Sequence, residues 1–144
     1  MIVAKRTVTL FALLGLASSS LFTSGCGPSR DPNLPPTAYV SGQVTYNGQP
    51  VNQGTVTFHP DGVGNPGVGL LDEQGQFELS TYAPGDGAVV GSHSVTIDIP
   101  PPLDGTSPED AYSVPKPYTD PETTPLKVSV SEDGETEVQL VLED

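Results

Sequence analysis

Tryptophan is absent from this chain of 144 residues, and cysteine and methionine occur once each. A single thiol, Cys26, closes no intrachain disulfide, so the fold carries no covalent staple. Histidine occurs twice, as His59 and His93, which leaves a zinc site short of its usual donors. Only five residues are basic, against 18 acidic ones, for a formal net charge of −13. That sign excludes electrostatic capture of nucleic-acid phosphates or anionic lipid headgroups. No segment shows a convincing helical period, and no internal repeat is visible.

One apolar run stands out, Thr7 to Phe22. It follows Lys5-Arg6, is interrupted by Ser18-Ser19-Ser20, and is too short for a spanning helix. Thr23-Ser24-Gly25-Cys26 comes next. Basic residues, an apolar stretch and small residues before a lone cysteine resemble the lipobox of bacterial lipoproteins, with Thr23 standing where that pattern prefers leucine. The resemblance implies that residues 1–25 are a signal peptide. Cys26 becomes the lipidated N-terminus, its sulfur carrying diacylglycerol and its amino group open to an acyl chain such as palmitate. Removal of the leader leaves Arg30, Lys116 and Lys127 as the only basic residues against the same 18 acids. Residues 26–37, with four prolines, read as an extended tether of about 3 Å per residue.

What is abundant is glycine and proline, 16 of each, a composition of short strands and many turns. From Val40 to Phe58 the chain reads as two strands around a turn. Val40, Val44 and Tyr46 share one face with Gly42, and Val56 and Phe58 share the next, while Thr55, Thr57 and His59 point the other way. Asn47-Gly48 is a strong hairpin signal. Asp61 to Gly69 reads as a flexible connector, since no helix start or lysine accompanies its glycines. Asp72 and Gly75 bracket a turn, and Phe77 and Leu79 point inward beyond it. Val90 to Ile99 is the longest strand, with His93, Val95, Ile97 and Ile99 on one face. Pro100-Pro101-Pro102 ends it. Residues 100–125 form a long proline-rich loop, and Leu126 to Val130 and Thr136 to Leu142 close the sheet. The expected fold is all-β, an antiparallel sandwich of about seven strands over residues 38–144. Its expected core is Val44, Val56, Phe58, Phe77, Val95, Ile97, Val128 and Leu140.

Gly42-x-Val44, Asn47-Gly48-x-Pro50-Val51, Gly54-x-Val56-x-Phe58, Asp72-x-x-Gly75-x-Phe77 and Gly91-x-His93-x-Val95-x-Ile97 are similar to carboxypeptidase-regulatory-like domains. Pro117 to Leu126 followed by two strands is similar to small lipoproteins of planctomycete-type bacteria. His93 stands where that family usually has an aromatic. The resemblance implies a seven-stranded Greek-key, transthyretin-like (prealbumin-like) sandwich and an accessory or structural role. One enzyme on that scaffold, the 5-hydroxyisourate hydrolase, uses a histidine and arginine cluster and a closing Tyr-Arg-Gly-Ser. Here the corresponding residues are Val141-Leu-Glu-Asp144, and no arginine follows Arg30.

Catalytic equipment is sparse. His93 lies on the inner face, and His59 is expected at a strand end facing solvent. Neither stands near a strained nucleophile turn such as Gly-x-Ser-x-Gly. Asp120 and Glu122, or Glu132, Asp133 and Glu135, offer oxygens but not the spacing of a calcium loop, so no metal or cofactor is expected. The expectation is a non-catalytic module, membrane-tethered by lipid at the periplasmic or outer face of a bacterial envelope. Its partner would be an envelope protein or a polysaccharide, met by the 100–125 loop with Tyr112 and Tyr118 as anchors. The alternative is a carrier for a small ligand or polysaccharide, against which the scarcity of aromatics counts.

Overall fold

Val40–Tyr46 (β2) forms where the alternation is cleanest, burying Val40 and Val44 completely. The computed structural model describes residues 31–100 and 114–144, and β2 has neighbours on both edges. On one side Gln76–Glu78 (β6) and Gln49–Pro50 (β3) run antiparallel to it, with Gly42 opposite Phe77 and Tyr46 opposite Gln49. On the other, Thr136–Leu142 (β10) runs parallel, from Thr136 beside Val40 to Leu142 beside Tyr46. The tight turn into β3 uses Asn47 at φ 48° and Gly48 at φ 80°, the pair of positive values that a two-residue hairpin with the right twist requires.

A second four-stranded sheet is wholly antiparallel, in the order Gly67–Leu70 (β5), Thr55–Pro60 (β4), Gly91–Asp98 (β8), Lys127–Val130 (β9). Thr37–Ala38 (β1) and Ala88–Val89 (β7) form a short ribbon beside them. The two larger sheets bury facing sides against each other. Val40, Val44, Phe77, Leu140 and Leu142 come from one, and Val56, Phe58, Val95, Ile97 and Val130 from the other. Phe58 and Phe77 meet across the gap with ring centroids 6.2 Å apart at 53°, a tilted geometry favoured by the ring quadrupoles. All eight expected core residues lie in this cluster or, for Val128, pack against it half-buried.

Gly42 is what lets β10 sit so close. A Cβ there would lie 2.3 Å from the Val138 carbonyl oxygen and 3.0 Å from Phe77 Cζ. No side chain fits, because both neighbours are backbone or core.

Several expectations are corrected. The sandwich is not purely antiparallel, since β10 and β2 pair in parallel. Ten strands rather than about seven are present among the described residues, several only two residues long. The stretch from Val40 to Phe58 is not one hairpin. The turn at Asn47-Gly48 closes only as far as Pro50, and β4 crosses to the opposite sheet. The supposed connector 61–69 contains the start of β5, whose Gly67 and Gly69 are buried against the core. The tether's end is partly structured: Leu34 N donates to the Asp31 carbonyl, and Val90 N donates to the Pro36 carbonyl. The leader 1–25, Cys26 and Tyr112 lie outside the described residues.

The described part of the long loop lies against the sandwich. It contains a 3-10 turn, Lys116–Thr119, that packs on β8. Tyr118 is buried at 9% exposure, and its hydroxyl bonds the backbone of Glu143. It anchors the loop to its own domain, which removes it as an anchor for a partner. Thr124, also buried, donates its hydroxyl to the Val95 carbonyl at 2.6 Å.

Candidate functional site

With Val40, Val44, Phe77 and Leu140 turned inward, the residues between them on β2, β6 and β10 must face out. Register sets them in rows. Glu137, Ser41 and Glu78 stand side by side on β10, β2 and β6, and the next row is Gln139, Gln43 and Gln76. Neighbouring strands are about 4.8 Å apart, so three side-chain amides cross the sheet at regular intervals. Gln43 Nε2 donates to the Gln74 carbonyl at 2.8 Å, which fixes that amide. The exposed amides of Gln76 and Gln139 make no hydrogen bond among the described residues.

Two open depressions lie on this face. One, of about 420 Å³, is lined by Tyr39, Ser41, Leu70, Asp72, Gln76, Phe77 and Glu78. The other, of about 220 Å³, shares Ser41, Gln76 and Phe77 with it and adds the amides of Gln43 and Gln139. No lysine, arginine or histidine lines either. The Tyr39 hydroxyl donates to Glu78 Oε2 at 3.3 Å. Asp72 is occupied by its own turn, Oδ1 accepting from Gln74 N at 2.9 Å and Gln76 N at 2.8 Å. Leu70 stays 76% exposed at the rim.

The histidines belong to the other sheet. His93 is 1% exposed, its ring centroid 5.8 Å from that of Phe58. Nδ1 lies 3.0 Å from the Gly91 carbonyl oxygen, so this nitrogen carries the proton and donates. Nε2 is buried without a partner among the described residues. Burial is the main influence holding this imidazole below its ordinary pKa, because the cation would be desolvated. His59 does not face open solvent as expected. It is half-buried, its Nε2 is 2.9 Å from Thr96 Oγ1, and burial lowers its pKa too. Thr96 is itself buried, and no carboxylate bonds His59 among the described residues. A shielded hydroxyl beside an unoriented imidazole lacks the third member that activates a nucleophile.

The acids proposed as oxygen donors are otherwise placed. Asp120 Oδ1 accepts from Glu122 N at 2.8 Å and shapes a turn. Glu132, Asp133 and Glu135 are exposed around the turn before β10. Among the described residues no group of three or more His, Cys, Asp or Glu is placed to hold a metal ion, and no helix is long and apolar enough to cross a membrane. At the other end of the first sheet Asp144 accepts hydrogen bonds from the Tyr46 hydroxyl and from Asn47 Nδ2, and these hold its carboxyl below the usual range.

Sequence reading missed the glutamine row. The outward positions of β2 and β10 were visible as alternation. That β10 lies beside β2, in parallel and in that register, was not. It also missed Asp86, whose carboxylate accepts from the backbone N–H groups of Thr81, Tyr82 and Ala83 at 2.7–3.1 Å and so ties the 81–87 loop.

No known family model matches the chain, and no curated protein does. A crystal structure of a DUF3823 family protein from Parabacteroides merdae is similar in part, with a TM-score of 0.42 and 22% identity over 75% of this chain. The chain spans 46% of that protein's length. The likeness is too loose to carry an argument.

Proposed function

We propose that this protein is a non-catalytic interaction module, tethered by lipid on Cys26 to the periplasmic or outer face of a bacterial envelope. In this reading the sandwich is a carboxypeptidase-regulatory-like domain of Greek-key, transthyretin-like descent. The observation that carries it is the contrast between the two histidines and the outer face of the first sheet. Both histidines are withdrawn by burial or engaged by a buried threonine, whereas the β10–β2–β6 face presents open amides, hydroxyls and carboxylates over two depressions. That is equipment for holding a ligand. The lipid part rests on the leader and on Ser24-Gly25-Cys26, and two or more acyl chains make such an anchor stable.

Mass spectrometry of the mature protein tests the anchor. The expected product begins at Cys26 and carries acyl chains, and Cys26→Ala moves the protein from the membrane fraction to the soluble one. An intact leader, or an unmodified thiol, overturns this. A panel of ester, peptide and glycoside substrates tests the second half. Turnover of any of them by the purified protein overturns the non-catalytic reading.

A further inference from the structure

We infer that the β10–β2–β6 face binds an extended, uncharged polysaccharide, a linear β-linked hexose chain lying across the strands along the row Gln139–Gln43–Gln76. The inference rests on the binding-module reading above and names its ligand.

Charge limits the ligand first. The lining carries Asp72, Glu78 and Glu137 and no basic side chain, so a polyuronate, a phosphate polymer or a nucleic acid meets repulsion with nothing to offset it. Hydrogen-bonding capacity comes next. A primary amide offers two donors and two acceptor sites, which suits sugar hydroxyls, themselves both donors and acceptors. Gln76 and Gln139 hold theirs unspent among the described residues, and Gln43 is fixed by its bond to the Gln74 carbonyl. Gln43, being fixed, loses little freedom on binding. Shape is the third argument. The amides recur once per strand, about 4.8 Å apart, comparable with the advance per sugar in an extended β-linked chain. The two depressions share Ser41, Gln76 and Phe77 and so run on from one another. Tyr39 and the exposed Leu70 flank the larger one and give the apolar face of a sugar ring something to lie on. An open row of this kind fits a chain passing over the surface better than an enclosed small molecule, which would need most of its surface covered.

The test is electrophoresis of the full chain, in detergent, through native gels cast with hydroxyethylcellulose, together with calorimetric titration with cellohexaose. Retardation in the neutral gel is expected, insensitive to added salt because the ligand has no charge to screen. Gln76→Ala combined with Gln139→Ala is expected to weaken cellohexaose binding by about tenfold or more, the loss of two neutral hydrogen bonds. Both side chains are exposed, so the variant should melt with wild type, and a matching melting temperature confirms that the loss is local. No retardation overturns the proposal, as does retardation unchanged in the double variant. So does retention confined to gels containing polylysine and abolished by salt, which would mark a surface for cationic partners. Failure of the anchor is read separately, by mass spectrometry of Cys26. Cleavage of cellohexaose alongside Gln-dependent retention would support the glycan site while overturning the non-catalytic reading.

Discussion

The Tyr118 hydroxyl holds both backbone groups of Glu143, donating to its carbonyl at 3.2 Å and accepting from its N–H at 3.1 Å. One side chain thus ties the loop after β8 to the end of β10. Tyr118→Phe keeps the ring and strands two backbone groups. A loss of about 1–2 kcal/mol is expected in urea unfolding, with Tyr118→Ala costing about 3–5 kcal/mol because the ring's place empties. Equal stability of Tyr118→Phe and wild type would show that water replaces the hydroxyl without cost.

Gly42 faces a similar test from the opposite direction. Gly42→Ala places a methyl 2.3 Å from the Val138 carbonyl oxygen, so the parallel pairing must open, and a shift of Phe77 would not relieve it. The variant is expected to melt below wild type, and Phe77→Ala, which empties a core site, should cost about 3–5 kcal/mol. Hydrogen exchange should show Gly42→Ala exposing β10 amides first. Unchanged protection of Leu140 and Leu142 would contradict this.

Acid should destabilise the fold through His93. Its folded pKa lies below the ordinary 6.5, with burial the largest cause, the Gly91 carbonyl and Asp61 opposing it, and His59 adding to it. Below pH 6.5 the unfolded chain therefore takes up a proton that the folded one refuses, and stability falls as pH drops further. Above that value the effect vanishes. Urea midpoints at pH 7.5 and 5.0 measure it. His93→Phe should reduce the difference, and so should His59→Gln, because burial lowers that pKa too. An equal slope in His93→Phe would assign the acid sensitivity elsewhere.

Asp86→Ala should loosen the 81–87 loop. Three backbone donors lose one carboxylate, and those that water cannot reach cost about 1–3 kcal/mol each. Faster proteolysis within that loop, with little change at the Asn47-Gly48 turn, is the expected pattern.

Much of the architecture was legible because the sheets are one-sided. Alternation placed Val44, Phe58, Phe77, Val95 and Leu140 inward, and Asn47-Gly48 and Asp72 to Gly75 marked real turns. Pairing was not legible, because period two says which face a residue takes and nothing about which strand lies beside it. Alternation around Asn47-Gly48 therefore suggests a β2–β4 hairpin, although β4 pairs with β5 and β8. Gly67 and Gly69 hid β5 because glycine signals turns more often than strands. Tyr118 misled for a chemical reason. A tyrosine suits a docking surface and a packed interior equally, and only the Glu143 backbone beside it decides between them.

The parallel pair of β10 and β2 joins residues almost a hundred positions apart, Thr136 beside Val40 and Leu142 beside Tyr46. As the chain is made from its N-terminal end, β2 must wait with one edge bare until Leu142 has been synthesised and is free to pair. Until then the half-built domain offers a row of unpaired amides to its neighbours. A contact of such long range also slows closure. The many acids then repel other copies while the sheet waits for its last strand.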